Sequence, residues 1–288
     1  MLPEIEAAAA RLAAAGVASP RHDAEELAAH VLGLSRSRLV LLDRLPAGAA
    51  GRYAELVEQR AARVPLQHLT GVAGFRRLDL AVGPGVFVPR PETEALVDWA
   101  LARLRPGDLV VDLCAGSAAI ALAVADEAPG VTVHAVEREE QALAWAARNV
   151  AATGLPATLH RGDVADPGVL ADLDGTVDLV TANPPYIPVG AQVEREVAEH
   201  DPPAALWGGE DGLVVVRAVE RAAARLLKPG GLVAVEHADV QGDAVPAVFR
   251  HWAEVCDHPD LAGRPRFTTA RRPVGVSPGR AGDRETPT

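Results

Sequence analysis

The chain is short of several things that would each have fixed a function class. Its two cysteines, Cys114 and Cys256, form no CxxC pair, so no disulfide framework is implied. Its nine histidines show no HExxH and no paired metal spacing, and no metal is expected. Lys228 is the only lysine while arginine is abundant; with the alanine excess, this reads as coding bias. Aromatic residues make up 3%, so alanine, leucine and valine must fill most of any core. Positive charge is scarce too. A net charge of −11 argues against a broad phosphate-binding surface, and no direct nucleic-acid partner is expected. No run is long enough to span a bilayer. The start, Met1-Leu2-Pro3-Glu4, lacks the basic region and apolar core of a signal peptide. The expectation is a cytoplasmic protein, monomeric, with no membrane partner.

What is present suffices for a folded enzyme. An apolar content of 49% over 288 residues allows one large or two smaller domains. Leu2 to about Ala62 reads as several helices. Ser19-Pro20 is a helix start, with serine at the N-cap and proline at N1. Leu27, His30, Val31 and Leu34 then recur at helical spacing. A further helix runs from about Ala49 to Arg63 and stops before Pro65. This third shows no catalytic constellation; it reads as a bundle that packs or recognises a partner. Phe75, Leu78, Leu80 and Val82 suggest a short hairpin after a linker. Pro91 is expected to open a helix to about Leu104, with Glu92 and Glu94 in its first turn.

From Asp108 onward strands and helices alternate, which predicts a mostly parallel sheet with helices on both faces. Leu109 to Leu113 is an apolar strand. Cys114-Ala115-Gly116-Ser117-Ala118-Ala119 is a small-residue turn, and a helix follows through Ile120, Leu122 and Val124. Such a turn places backbone N–H groups where an open α/β sheet binds ligands. On its own it reads equally as a cofactor cradle or an ordinary βα turn. The strand Val131 to Val136 ends in Glu137, which can accept from ribose hydroxyls or simply open the helix from Glu139 to Ala152. A short strand near Ala157 leads to Arg161-Gly162-Asp163-Val164. The strand from Val177 stops at Asn183-Pro184-Pro185-Tyr186. The two prolines remove backbone donors, leaving a turn that offers oxygen acceptors to a planar amide or amine. Tyr186 to about Asp211 is long and irregular, as lids often are. A helix from Leu213 to Leu227 ends at Lys228-Pro229-Gly230-Gly231. Leu232 to Glu236 is a buried strand, with Glu236 and His237 read as structural or facing the lid. Ser277 to Thr288 is polar and expected to be disordered.

Asn183-Pro184-Pro185-Tyr186 resembles the NPPY signature of S-adenosylmethionine-dependent methyltransferases acting on planar nitrogen. Pro65-Leu66-Gln67-His68-Leu69-Thr70-Gly71 and Pro89-Arg90-Pro91-Glu92-Thr93-Glu94 are similar to paired signatures of the HemK/PrmC family. Members of that family methylate the side-chain amide (N5) of the GGQ glutamine in peptide chain release factors. The match runs in the expected order from about Val64 to Ala270, and the helical start also fits.

The resemblance implies an α/β fold of class I, a seven-stranded, Rossmann-like methyltransferase domain with a reversed edge strand, preceded by a small all-α domain. The implied boundaries are 1–70 for the helical substrate-recognition domain, 71–90 for a hairpin linker, 91–276 for the methyltransferase domain and 277–288 for a tail. It assigns S-adenosylmethionine to Cys114, Ala115, Gly116, Ser117, Ala118, Glu137, Asp163, Val164 and Asn183. It assigns catalysis to Asn183, Pro184, Pro185 and Tyr186. Asn183 Oδ1 and the Pro184 carbonyl would accept the two amide N–H bonds, with Tyr186 packed beside them. Three departures stand out. The family has glycine where this chain has Cys114 and Ala118; if either position needs φ > 0, affinity should suffer. Glu137 replaces the usual aspartate, and Val164 a frequent tryptophan. Rival readings are a glutamine methyltransferase of a ribosomal protein, an adenine-N6 nucleic-acid methyltransferase, and a catalytically weak cofactor-binding module.

Overall fold

Apolar residues at helical spacing draw the first sixty or so residues into α1 (Leu2–Ala14), α2 (Pro20–Leu32) and α3 (Ala47–Ala61) in a computed structural model that describes residues 2–274. Residues 277–288, expected to be disordered, lie outside the described residues. Pro20 opens α2 as the sequence suggests, but Ser19 makes no side-chain cap bond. The fixed φ of proline, not the serine hydroxyl, sets that start. Leu12, Leu27 and Leu56 are buried at the centre of the bundle, and Tyr53 donates to the Ala24 carbonyl at 3.1 Å. Where a linker was expected, Leu66–Thr70 forms a short helix, α4, after Pro65.

The hairpin is present as β1 (Val72–Phe75) and β2 (Leu78–Ala81). Then come α5 (Glu94–Leu101), β3 (Leu109–Leu113), α6 (Ala119–Glu127), β4 (Thr132–Glu137), α7 (Glu140–Thr153), β5 (Ala157–Arg161) and β6 (Val177–Ala182). Pro91 opens a 3-10 turn, Pro91–Thr93, before α5, and the helix stops at Leu101, short of Leu104. Asn149 of α7 brackets the end of the hairpin. Its Oδ1 accepts from Ala81 N at 2.7 Å and its Nδ2 donates to Ala81 O at 3.1 Å. The hairpin is thus bonded to the sheet unit rather than strung between units.

The stretch after Tyr186 is less irregular than expected, since it holds α8 (Arg195–His200) and α9 (Pro203–Leu206). There follow α10 (Val214–Leu226), β7 (Leu227–Glu236), α11 (Ala244–Val248), β8 (Ala253–Pro259) and β9 (Pro265–Arg271). Strand β7 begins at Leu227, not Leu232, because Lys228-Pro229-Gly230-Gly231 is taken into the strand as a bulge.

Seven strands form one sheet in the order β5-β4-β3-β6-β7-β9-β8. The first five are parallel, and β9 runs antiparallel to both β7 and β8. The reversed strand is therefore not at the edge. β8 and β9 form a hairpin whose second arm inserts beside β7, leaving β8 outermost. Helices cover both faces, one around Val219 and Phe249, the other around Leu96 and Leu122. Double coverage is why β3 and β6 read as mainly apolar runs, with Asp112 and Thr181 the buried polar exceptions that bond each other. The strand order reverses at β3, whose neighbours are β4 and β6. The loops leaving β3 and β6 part there and open a crevice above their carboxyl ends. Among the described residues, no helix is long and apolar enough to cross a membrane.

Candidate active site

A cavity of about 750 Å³ occupies that crevice, walled by the sheet ends, the segment 187–206 and residues of the helical bundle. Its wall includes Cys114, Ala115, Gly116 and Ser117 after β3, Glu137 ending β4, Asp163 and Val164 after β5, and Asn183, Pro185 and Tyr186 after β6. Nearly all the residues singled out in the sequence therefore meet in one place. Two sit behind the wall. Ala118 is fully buried at the start of α6, and Pro184 is buried under the turn. Among the described residues no donor bonds the Pro184 carbonyl.

The loop after β3 is held by bonds the chain makes to itself. Ala115 N donates to Val136 O at 3.0 Å, Gly116 N to Glu137 Oε2 at 2.8 Å and Ala118 N to Ala115 O at 2.8 Å. Cys114 has φ 61° and Ala118 φ 66°, both in the left-handed region that favours glycine. The positions where the family carries glycine do need it conformationally. Burial pushes the Cys114 thiol far up, with Glu137 and Asp112 adding to the effect. It stays a neutral packing group.

Glu137 is nearly buried, and its other oxygen accepts from Glu139 N at 2.7 Å. Both oxygens are thus aimed by the backbone, each with a lone pair to spare. Asp163 is oriented by Ala165 N at 2.8 Å and flanked by Arg138 at 3.2 Å. Behind the loop, Asp112 accepts from Thr181 Oγ1 at 2.8 Å, while its Oδ2 is buried without a partner. Burial raises the Asp112 pKa to about 7 against the lowering of the Thr181 and Ala121 bonds. These residues fit S-adenosylmethionine. Small side chains and backbone donors admit a ligand against the loop, Glu137 suits ribose hydroxyls, and unfilled carboxylate oxygens suit a ligand of positive charge.

At the other end of the cavity Asn183 donates through Nδ2 to Thr93 Oγ1 at 3.3 Å. The carboxyl of Glu236, at the end of β7, lies within reach of the Thr93 and Asn183 side chains, and its Oε2 is buried with no partner of full hydrogen-bond geometry. Burial raises the Glu236 pKa to about 7. Burial, then the nearby Glu236, push the Tyr186 phenol up, so it stays protonated. The turn is braced from behind. Gln241 Nε2 donates to Tyr186 O at 3.1 Å, and a Cβ at Gly212 would come within 2.4 Å of that same oxygen. Only glycine lets the 208–212 segment lie against the turn.

Thr93, Glu236, Arg90 and Arg266 line the cavity but were not among the residues expected there. Glu236, read as structural or facing the lid, lines the cavity together with Asn183 and residues of the 187–206 segment. Its position at the carboxyl end of the strand next to β6 is a signal the sequence carried. His237 does turn away, with Nε2 2.8 Å from Asp257 Oδ1.

Residues 5–71 match the PrmC N-terminal domain family, and residues 80–259 match the methyltransferase small domain family. A curated relative from Streptomyces coelicolor, named release factor glutamine methyltransferase, is 54% identical over 94% of this chain and 98% of its own length. A relative from Streptomyces pristinaespiralis, named 4-amino-L-phenylalanine/4-methylamino-L-phenylalanine methyltransferase, is 42% identical over 88% of this chain and 90% of its own. Among solved structures, a methyltransferase from Pyrococcus furiosus aligns with TM-score 0.52 and 19% identity, over 78% of this chain and 99% of that one. That likeness concerns the fold alone. With both domains matched in order and more than half its residues shared with a relative covered almost end to end, the chain belongs to the release factor glutamine methyltransferases.

Proposed function

We propose that this protein, acting in the cytoplasm, methylates the side-chain amide nitrogen of the glutamine in the GGQ motif of peptide chain release factors. The observation that carries the reading is the single cavity that joins the loop after β3 to the turn after β6. When bound, S-adenosylmethionine supplies a methyl group already activated by a sulfonium. The chain's own task is to hold a poor nucleophile in line, because the lone pair of an amide nitrogen is delocalised into its carbonyl.

Asn183 is suited to that task. Its nitrogen is engaged by Thr93, so its Oδ1 is left to accept from the substrate amide. The Pro184 carbonyl, unbonded among the described residues, is the second acceptor, the proline ring itself being buried behind the cavity wall. Two acceptors fix the amide plane and favour positive charge developing on the nitrogen, an oxyanion hole with its sign inverted. Positioning of this kind contributes up to roughly 7–11 kcal/mol in favourable model systems. Tyr186 packs beside the amide and keeps water out. The extra proton leaves after transfer, and no side chain is assigned to take it. The helical unit, residues 1–70, serves to recognise the release factor.

The test is incubation with methyl-labelled cofactor and purified release factor, followed by mapping of the labelled peptide. Label on the GGQ glutamine is expected. A parallel reaction uses 4-amino-L-phenylalanine, because a relative 42% identical is named for that substrate. Label on the free aromatic amine, with none on the release factor, overturns the proposal.

A further inference from the structure

A side-chain amide has two ends of nearly equal size, and Asn183 is useful only with its oxygen toward the substrate. Turned over, it would set its own NH₂ against the NH₂ of the substrate, donor against donor. Thr93 cannot decide the matter alone, since a hydroxyl donates as readily as it accepts. The group behind it can. An ionised carboxylate is acceptor-only. With Glu236 ionised, the Thr93 hydroxyl within its reach donates to it, the Thr93 oxygen is then free to accept from Asn183 Nδ2, and the carboxylate, also within reach of Asn183, draws the NH₂ end to the same side. The arrangement lies on the cavity wall but is little exposed, Thr93 4% and Glu236 2%, so protein partners rather than bulk water set its hydrogen bonds.

We propose that Glu236, acting through Thr93, is the positioning residue that fixes which end of the Asn183 amide faces the substrate. The inference rests on the reading of Asn183 as the acceptor given above. It goes beyond that reading by naming what makes Asn183 an acceptor. The relay crosses three elements: the turn after β6, the 3-10 turn Pro91–Thr93 and the end of β7.

The device works only while Glu236 is ionised. Once protonated, the carboxyl can donate to Thr93, the hydroxyl can turn to donate to Asn183, and the amide is free to flip. Burial raises the pKa of Glu236, and Glu92 in the 3-10 turn pushes the same way. Arg266 of β9 opposes them, and the Thr93 and Asn183 side chains do so as well. Arg266 is itself shared with Asp260 at 3.1 Å, so Glu236 has no cation of its own. The Tyr186 phenol also faces it, protonated. The pKa of the free enzyme's Glu236 is about 7, and turnover should rise with pH through that region.

Three variants test the relay: Glu236→Gln, Thr93→Val and Thr93→Ser. Gln keeps the shape but can both donate and accept. Val keeps the shape of threonine without the hydroxyl, and Ser keeps the hydroxyl. Glu236→Gln and Thr93→Val are expected to lower kcat about tenfold, the scale of one mispaired buried hydrogen bond. Their Kd for S-adenosylmethionine should stay within about twofold of wild type. Thr93→Ser should turn over near the wild-type rate, and the rise of kcat/KM near neutral pH should vanish in Glu236→Gln.

A second readout needs no substrate. The side-chain amide signals of Asn183 in ¹⁵N NMR should shift with pH in the wild type and not in Glu236→Gln. Wild-type turnover and pH profile in both Glu236→Gln and Thr93→Val would overturn the relay, as would pH-independent Asn183 signals in the wild type. A wild type that methylates no release factor sinks the substrate reading instead, while the NMR titration still decides the relay.

Discussion

Cys114 and Ala118 sit in left-handed backbone without being glycine, and the cost must fall either on folding or on cofactor binding. Replacing both by glycine separates the two. A non-glycine residue in that region costs about 1–2 kcal/mol, so the pair carries about 2–4 kcal/mol. If the loop adopted this shape only when bound, the double variant would recover the whole amount as affinity. At about 1.4 kcal/mol per decade, that is a Kd tightened roughly 30- to 1,000-fold. The structure argues for the other outcome. Bonds from Ala115 to Val136, from Gly116 to Glu137 and from Ala118 to Ala115 hold the loop from within the chain. The strain then belongs to the folded protein, and Kd should change less than about threefold. Stability should barely move. From the 2–4 kcal/mol one subtracts about 0.4–1 kcal/mol per site for the looser unfolded chain, about 0.8 kcal/mol for the buried Ala118 methyl and about 1 kcal/mol for the Cys114 side chain packed against the core. The remainder is close to zero, and Tm should change by less than about 4 °C. Isothermal titration with S-adenosylmethionine and a thermal melt of the same protein give both numbers. A thirtyfold tighter Kd at unchanged Tm would refute the assignment of the strain to folding. A Tm lower by about 6 °C or more, the fall expected with no strain relieved, would refute the strain itself.

Further outcomes follow from the same geometry. Asn183→Ala should lower kcat by about 10²–10³, the effect of removing one preorganised polar partner, with near-normal cofactor affinity by calorimetry; full activity would defeat the acceptor assignment. Glu137→Ala removes charge-assisted acceptors and should weaken cofactor binding by about ten- to a hundredfold; an unchanged Kd would remove Glu137 from the ribose. Asp112 holds its proton to a pKa of about 7 in the folded chain against 3.8 when unfolded. Between those values the folded form binds the extra proton, so stability falls as pH rises through that window. Thermal melts from pH 4 to 8 should show a shallower fall in Asp112→Asn.

The parallel strands and the residues at their carboxyl ends were legible because both faces of that sheet are covered; their order in the sheet was not. Val110, Val111 and Val180 are fully buried, and their runs end where the ligand loops begin. β8 escaped notice for the opposite reason. It is an edge strand with no fully buried residue, so Glu254, Asp257 and His258 give it no apolar face to read. The position of β9 inside the sheet depends on that missed partner. Glu236 carried a signal, its place at the carboxyl end of a strand, whereas Thr93 was illegible as a site residue because it lies 90 residues from Asn183 and meets it only in the folded chain. Glycine-type φ at Cys114 and Ala118 could be posed as a question from sequence but answered only by the backbone.

One buried guanidinium limits which parts of this chain can be exchanged. Arg60 of α3 donates to Asp23 of α2 at 2.7 Å and to Glu196 of α8 at 2.7 Å, with Arg63 also near Glu196 at 3.4 Å. One side chain thus rivets the amino-terminal bundle to the flap that follows Tyr186. A chimera given a foreign bundle inherits Glu196 without its cations, and the flap keeps only its other ion pair, Arg90 with Asp201, even though the sheet-end residues of the crevice are retained. Bundle and flap are one heritable module, and a graft that respects this has its seam after the flap, not at the hairpin.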